Sequence, residues 1–340
     1  MVLSCILLAV SPATSASPPN PTQSDAQRNT AGGTDALINN TGTENTAFGA
    51  YTLFNNSSGV ANTAFGTWAL FTNTEGDTNT ATGDSALYWN TMGSANTATG
   101  VAALGYNTTG FKNTASGAWA LLYNTTGGAN TATGFEALNE NTTGHSNTAS
   151  GFHTLYANTT GLYNAASVLR ALQNNTVGNS NTATGAEALF FKTTGAGNTG
   201  YGLQALRSND VGSHNTAVGY QALIATKGHR NTALGWGAGN LLANGSNNIY
   251  VGHPGEASES ATLRLGNVQT RAFIRGVVNV PLSGKVVVIN SAGQLGVQAA
   301  SAAAEMLPDL VQVVEAQQRQ IEALQTQLAE VQATLRQMGK

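Results

Sequence analysis

Charged residues make up only 9% of the 340-residue chain, against a usual figure of about 25%, and the 17 acids and 14 bases nearly cancel. No block of like charge occurs, so the chain has no basic surface with which to displace counterions from a phosphate backbone. Nucleic acid is thereby excluded as a main partner. Cysteine is scarcer still: Cys5 alone, in an apolar leader, which excludes a disulfide framework, a thiolate zinc site and a thiol nucleophile from the mature chain. No apolar run approaches the roughly 18 residues that a spanning helix needs. Stability has to come from packing and hydrogen bonding.

Glycine, by contrast, is abundant at 40 residues, and it is regularly placed. Asn-Thr-Ala-x-Gly or a close variant begins at Asn45, Asn62, Asn79, Asn96, Asn113, Asn130, Asn147, Asn164, Asn181, Asn198 and Asn215, each 17 residues after the last. Asn29 and Asn231 extend the series with spacings of 16, and Asn248 closes it at 14 copies. The consensus is N-T-A-x-G-x-x-A-L-x-x-N-T-T-G-x-x, numbered below as coil positions 1 to 17. So short a period, so rich in Gly, Asn and Thr, excludes the two-helix repeats and predicts an all-β chain, a parallel β-roll or β-solenoid. Two short strands and two tight turns per coil are expected, and fourteen coils stacked about 4.8 Å apart would reach roughly 65 Å.

Strand alternation places Asn, Ala and Gly of the motif inward, and Thr with the variable residue outward. The inward set is then chiefly one Ala and one Leu per coil, the latter being Leu53, Leu70, Leu87, Leu104, Leu121, Leu138, Leu155, Leu172, Leu189, Leu206 and Leu223. That is a thin core. Repeating Asn predicts side-chain amide ladders from coil to coil, which would satisfy polar groups close to it. Aromatic residues follow the Leu at two positions: Phe54, Phe71, Tyr88, Tyr156 and Phe190 at the first, Trp89, Tyr106, Tyr123 and Phe191 at the next. Such apolar stripes mark an interface, so several chains are expected to pack together, stacking along one surface being the simpler alternative. Val168 stands where other coils carry Gly, and a local irregularity is expected there.

The chain divides into a secretory leader (1–16), a linker (17–28), the repeat shaft (29–247), a β-rich neck (248–298) and a helical coiled coil (299–340). In the last segment Leu307, Val314, Ile321, Leu328 and Leu335 fall at heptad position a, and Leu310, Gln317, Leu324, Val331 and Met338 at d. This mixture departs from the β-branched a and Leu d of dimers and points to a trimer, with Gln317 fixing register.

Runs such as Asn130-Thr-Ala-Thr-Gly-Phe-Glu-Ala-Leu-Asn-Glu-Asn-Thr-Thr-Gly144 resemble the repeats of bacterial tail-fibre-like proteins and, more distantly, the β-roll heads of trimeric autotransporter adhesins. The likeness covers residues 29 to about 297. It implies an extracellular trimeric fibre at a cell surface or virion tail, with a structural or adhesive role. Many such fibres continue into an intramolecular chaperone domain that cuts itself off with a Ser-Lys pair. Here the only Lys after Val297 is Lys340, so Ser301 lacks a basic partner and self-cleavage is not expected.

Chemistry is sparse. His145, His153, His214, His229 and His253 have no metal-ligand spacing, Glu136 and Glu187 lie three coils apart, and Glu256 and Glu259 read as solvated acids. Gly235-Trp-Gly-Ala-Gly239 is a bend and not a phosphate loop. No catalysis and no cofactor are expected. The expected partners are two further copies of the chain and a surface glycan or protein receptor, with end-to-end assembly as an extension. Two rival functions stand beside adhesion. Thr80 and Thr82, Thr97 and Thr99, Thr114 and Ser116, Thr131 and Thr133, Thr148 and Ser150 could form the hydroxyl and methyl grid of an ice-binding solenoid, and a glycan-binding or glycan-cleaving spike is the other.

Overall fold

The computed structural model describes residues 24–191, 194–269, 287–289, 295–297 and 300–338, and within the C-terminal helix the side chains of 312–332. The leader, Arg271 to Val278, and the side chains of Leu307, Leu310, Leu335 and Met338 lie outside the described residues. Two compact units, residues 1–269 and 270–340, divide the chain.

The first unit is a parallel β-solenoid of 17-residue coils. Fifteen three-residue strands, β1 (Thr30–Gly32) to β15 (Leu263–Leu265), form one sheet in strict chain order. Like pairs with like: Thr80 sits against Thr97, Ala81 against Ala98 and Thr82 against Thr99. From β1 to β13 (Thr232–Leu234), all strands but β9 (Ala165–Ser167) end where Gly at position 5 adopts a φ that L side chains rarely take, 128° at Gly66 and 136° at Gly83. Its missing Cβ also matters, because a Cβ on Gly66 would stand 2.5 Å from the Gly83 carbonyl oxygen.

The second half of the coil corrects the sequence expectation. It holds no strand. Positions 7 and 9 take positive φ instead, 57° at Trp68 and 52° at Leu70, while Thr67, Ala69 and Phe71 do not. The N–H groups of Trp68 and Leu70 point along the solenoid axis in opposite senses, while that of Ala69 between them bonds Gly66 O within the same coil at 3.3 Å. Trp68 N–H donates back to Ala50 O at 3.0 Å, and Leu70 N–H donates forward to Ala86 O at 2.9 Å. Backbone pairing between coils therefore continues without a ladder, and these bonds offset the roughly 1–2 kcal/mol that a left-handed non-glycine costs.

Inside, the core is broader than one Ala and one Leu. A coil buries Ala at positions 3 and 8 and Leu at 9, as at Ala81, Ala86 and Leu87, all fully inaccessible. All the repeat leucines from Leu53 to Leu223 are buried in this way. Two Asn columns complete it, and both form the ladders that the repeat predicts. Asn113 Nδ2 donates to Asn96 Oδ1 at 3.1 Å and to Gly127 O at 2.8 Å, while the Asn113 backbone N–H reaches the same Asn96 oxygen at 3.0 Å. At position 12, Asn124 Nδ2 donates to Asn107 Oδ1 at 2.7 Å and also to Gly127 O at 3.0 Å. Both columns thus converge on one glycine carbonyl per coil. The Asn-x-Ser/Thr sequons at Asn107, Asn124, Asn141 and Asn158 are these buried ladder amides, so a glycan cannot sit there on the folded coil.

Two places depart from the pattern. Val168 takes the glycine position with φ 83°, below its neighbours Gly151 at 133° and Gly185 at 130°, and the next bond, Gly185 N–H to Ser167 O, stretches to 3.3 Å. This is the expected irregularity. At the other end, Gly239 occupies the Leu position and Tyr250 the Ala position. The exchange is steric: a Cβ on Gly239 would lie 2.8 Å from Tyr250 Cδ2, and Tyr250 is fully buried in the space so released. Arg264 pairs with Glu259 at 2.7 Å and with Glu256 at 2.6 Å, so Glu256 and Glu259 form an ion cluster and are not the freely solvated acids that the sequence suggests. Burial is the largest single influence and works to raise the Glu259 carboxyl, but the hydrogen bonds it accepts, that from Arg264 first, together with the Arg264 charge hold the group below the usual carboxylate range.

The sheet runs past Asn247, where the repeat register dissolves, because β14 (Ile249–Val251) and β15 continue the parallel pairing. In the second unit β16 (Val287–Ile289) and β17 (Leu295–Val297) form an antiparallel pair, and α1 spans Ala300–Met338.

Candidate binding surface

Most interior amides are paired, the Oδ1 atoms of Asn175 and Asn209 being exceptions in the position 12 column, and the outside of the coil presents two contrasting faces. The strand face carries positions 2 and 4. From β4 (Thr80–Thr82) to β10 (Thr182–Thr184) these positions hold only Thr, Ser or Ala, and Ala between them points inward. The strand-face hydroxyls of β4 to β8 (Thr148–Ser150) make no hydrogen bond among the described residues, whereas the position 13 hydroxyls do: Thr91, Thr108 and Thr125 each donate to the carbonyl of the next coil at 3.0 Å. Phe48 and Phe65 interrupt the second column at one end, where their rings stack at 5.5 Å, and Tyr201, Val218 and Leu234 at the other.

The opposite character belongs to the flank built by positions 6, 7, 10 and 11. Phe54, Phe71 and Tyr88 stack in one column at 5.2 and 5.1 Å and are half-buried, as are Tyr156 and Phe190 in the same column. Trp89, Tyr106, Tyr123 and Phe191 stand next to them and are exposed, Tyr106 and Tyr123 stacking at 5.3 Å. Stacking along one chain, weighed as the simpler alternative, is therefore realised for the first column, while the second column stays open to solvent. Sequence reasoning overlooked the rest of this flank. Trp68 and Trp119 at position 7, and Phe135, Phe152, Tyr220 and Trp236 at position 6, are all exposed, and Phe135 stacks on Phe152 at 5.5 Å. Their shared repeat position was the available signal. It is weakened because positions 6 and 7 also hold Ala, Ser, Glu, Arg and Gln.

Across coils 79 to 129 the ring columns are interrupted in concert. Position 7 holds Ser85 and Ala102 between Trp68 and Trp119, and position 10 holds Gly105 between Tyr88 and Leu122. A hollow of about 340 Å³ opens there, walled by Trp68, Tyr88, Trp89 and Tyr106. Tyr88 and Trp89 meet edge to face at 5.0 Å with 74° between their planes, so two walls stand near a right angle. Burial raises the Tyr88 phenol, which stays protonated as a donor at neutral pH.

Farther along, charge enters the flank. Glu136 and His153 pair at 2.5 Å, the His153 ring lying 3.9 Å from that of Phe152. Arg207 bonds Glu187 at 2.9 Å and lies over the Phe190 and Phe191 rings at 5.3 and 5.0 Å. The Arg207 hydrogen bond first, and that of Gln204 second, hold the Glu187 carboxyl below its ordinary range. Glu136 and Glu187 are thus separate ion pairs rather than a carboxylate couple. Among the described residues no three His, Cys, Asp or Glu side chains converge as a metal site would require.

On α1 the described heptad residues Val314, Ile321, Leu324, Leu328 and Val331 are all exposed, from 49% at Ile321 to 59% at Leu324, and Gln317 is exposed with them. Among the described residues nothing covers this apolar stripe. No described helix is long and apolar enough to cross a membrane. Comparison with protein-family models, with curated proteins and with solved structures finds no match to this chain.

Proposed function

We propose that the chain is a secreted, homotrimeric fibre that adheres through the side of its solenoid. The carrying observation is the aromatic flank: rings held in register by a hydrogen-bonded coil stack, with Trp68, Trp89, Tyr106, Trp119 and Tyr123 each some two-fifths exposed. Ordered rings that large, left uncovered on a chain with so little charge, are a docking surface in need of a partner. The stripe on α1 supports association of three chains, which would triple the flank and raise avidity without any new contact. Tail-fibre and adhesin architecture fits this reading.

The test is retention of the full chain on immobilised cell-surface material, with bacterial and eukaryotic envelopes as separate arms. Retention is expected on at least one, and Trp119→Ala with Tyr123→Ala should reduce it about tenfold. A wild-type chain that no surface holds overturns the adhesive role. The strand face favours one second reading, ice binding by the unspent Thr and Ser hydroxyls of β4 to β8. Thermal hysteresis in the same preparation, abolished by Thr114→Lys, would establish that reading in place of adhesion.

A further inference from the structure

The hollow in the flank has a chemistry of its own. Its four aromatic walls each combine a ring face with a hydrogen-bond donor at the edge: the indole N–H of Trp68 and Trp89, and the hydroxyls of Tyr88 and Tyr106. None of these side chains makes a hydrogen bond among the described residues. An aliphatic side chain seated there would cover the rings and leave the donors unpaired, which is costly once water is displaced. An anion finds no Lys or Arg in the lining. An exposed carboxylate, that of Asp84, accepts from Ser85 Oγ of the lining at 3.1 Å. A ligand that suits both ring faces and edge donors must be flat, uncharged, apolar on its faces and rich in acceptors around its rim. A pyranose ring has that form. The volume, about 340 Å³, lies at the lower end of the roughly 300–1,000 Å³ of ligand pockets, and so suits a short piece of a chain rather than a large ligand.

From this geometry we infer that the hollow binds a neutral hexopyranose unit of a surface polysaccharide. The inference rests on the adhesive reading and gives it a ligand class. The absence of bulk at Ser85, Ala102 and Gly105 is what creates the site, and the repeat itself supplies the means of closing it. Ala102 has φ 51°, matching Trp68 at 57° and Trp119 at 59°, which occupy the same coil position. A tryptophan at residue 102 is therefore compatible with the coil and restores the interrupted column.

Full-length protein is titrated with cellotetraose, laminaritetraose, maltotetraose and mannotetraose, with choline as a separate arm, and binding is followed by calorimetry and tryptophan fluorescence. At least one tetrasaccharide is expected to bind saturably and perturb the tryptophan emission. Ala102→Trp and Trp89→Ala are each expected to weaken it at least tenfold, while Trp236→Phe, outside the hollow, changes it less than twofold. Ala102→Trp should melt with the wild type, so its loss of binding would report filling rather than unfolding. Failure of all four sugars, unchanged affinity in Ala102→Trp, or binding of choline instead of sugar would each overturn the assignment. The surface-retention assay separates the two ideas. Retention that survives Ala102→Trp leaves adhesion standing and removes the hollow, whereas sugar binding without retention on any surface does the reverse.

Discussion

Replacing Asn113 by alanine is expected to destabilise the solenoid by about 2–6 kcal/mol, because two buried donors lose their acceptor at about 1–3 kcal/mol each. Asn113 Oδ1 accepts the backbone N–H of Asn130 at 3.0 Å and the Asn130 side-chain amide at 3.2 Å. No water reaches either group, since Asn113 and Asn130 are both fully buried. On the other side the damage is milder: Asn96 Oδ1 keeps the Asn113 backbone N–H, and Gly127 O keeps Asn124. Because coils touch only their neighbours, the loss should appear first as local opening around Asn130. Urea unfolding gives the size of the effect and hydrogen exchange its place. Thr97→Ala on the strand face is the control and should stay within about 0.5 kcal/mol of the wild type.

Gly117→Ala is expected to cost more than about 3 kcal/mol, from backbone strain at a φ that L residues rarely adopt together with overpacking. Gly117 has φ 137°, and a Cβ there would lie 2.5 Å from the Gly134 carbonyl oxygen, a backbone atom that cannot swing aside. Val168 shows how the coil accommodates a side chain at this position: φ retreats to 83° and the following inter-coil bond lengthens to 3.3 Å, against 2.8 Å for Gly202 N–H to Thr184 O. The reverse change, Val168→Gly, should therefore stabilise the protein by about 1 kcal/mol, the relief of strain exceeding the added entropy of the unfolded chain. Denaturant midpoints of the two variants should move in opposite directions. A loss of stability in Val168→Gly would mean that the side chain contributes more than its strain costs.

Much of this was legible in the residues, because in a stack every coil states the same constraint. The spacing of Asn29 to Asn248 set the period, the alternation of Thr and Ala set the faces, and the repeated Asn anticipated the ladders. The left-handed leucines were not legible. Ala-Leu-x-x reads as a strand because Leu is an ordinary strand residue and nothing in its side chain advertises a positive φ; only bonds to the coils before and behind make that backbone favourable. Nor did the sequence disclose the Gly239 and Tyr250 exchange, since one residue's loss of volume is matched by another eleven positions on, in the next coil. The aromatic flank was half read. Rings after the Leu were conspicuous, but those at positions 6 and 7 become part of the same surface only when the second half of the coil folds back as turns, bringing Tyr51 within 5.9 Å of Phe54 and His153 within 5.2 Å of Tyr156.

The proposed fibre depends on three chains joining through the stripe that Val314, Ile321, Leu324, Leu328 and Val331 leave open on α1. Light scattering of the full-length protein at micromolar concentration measures this directly. Three chains per particle are expected, falling to one when Ile321 and Leu328 are both replaced by aspartate, with the solenoid still folded. A wild-type protein that remains a single chain, its heptad stripe in water, would contradict the trimeric fibre.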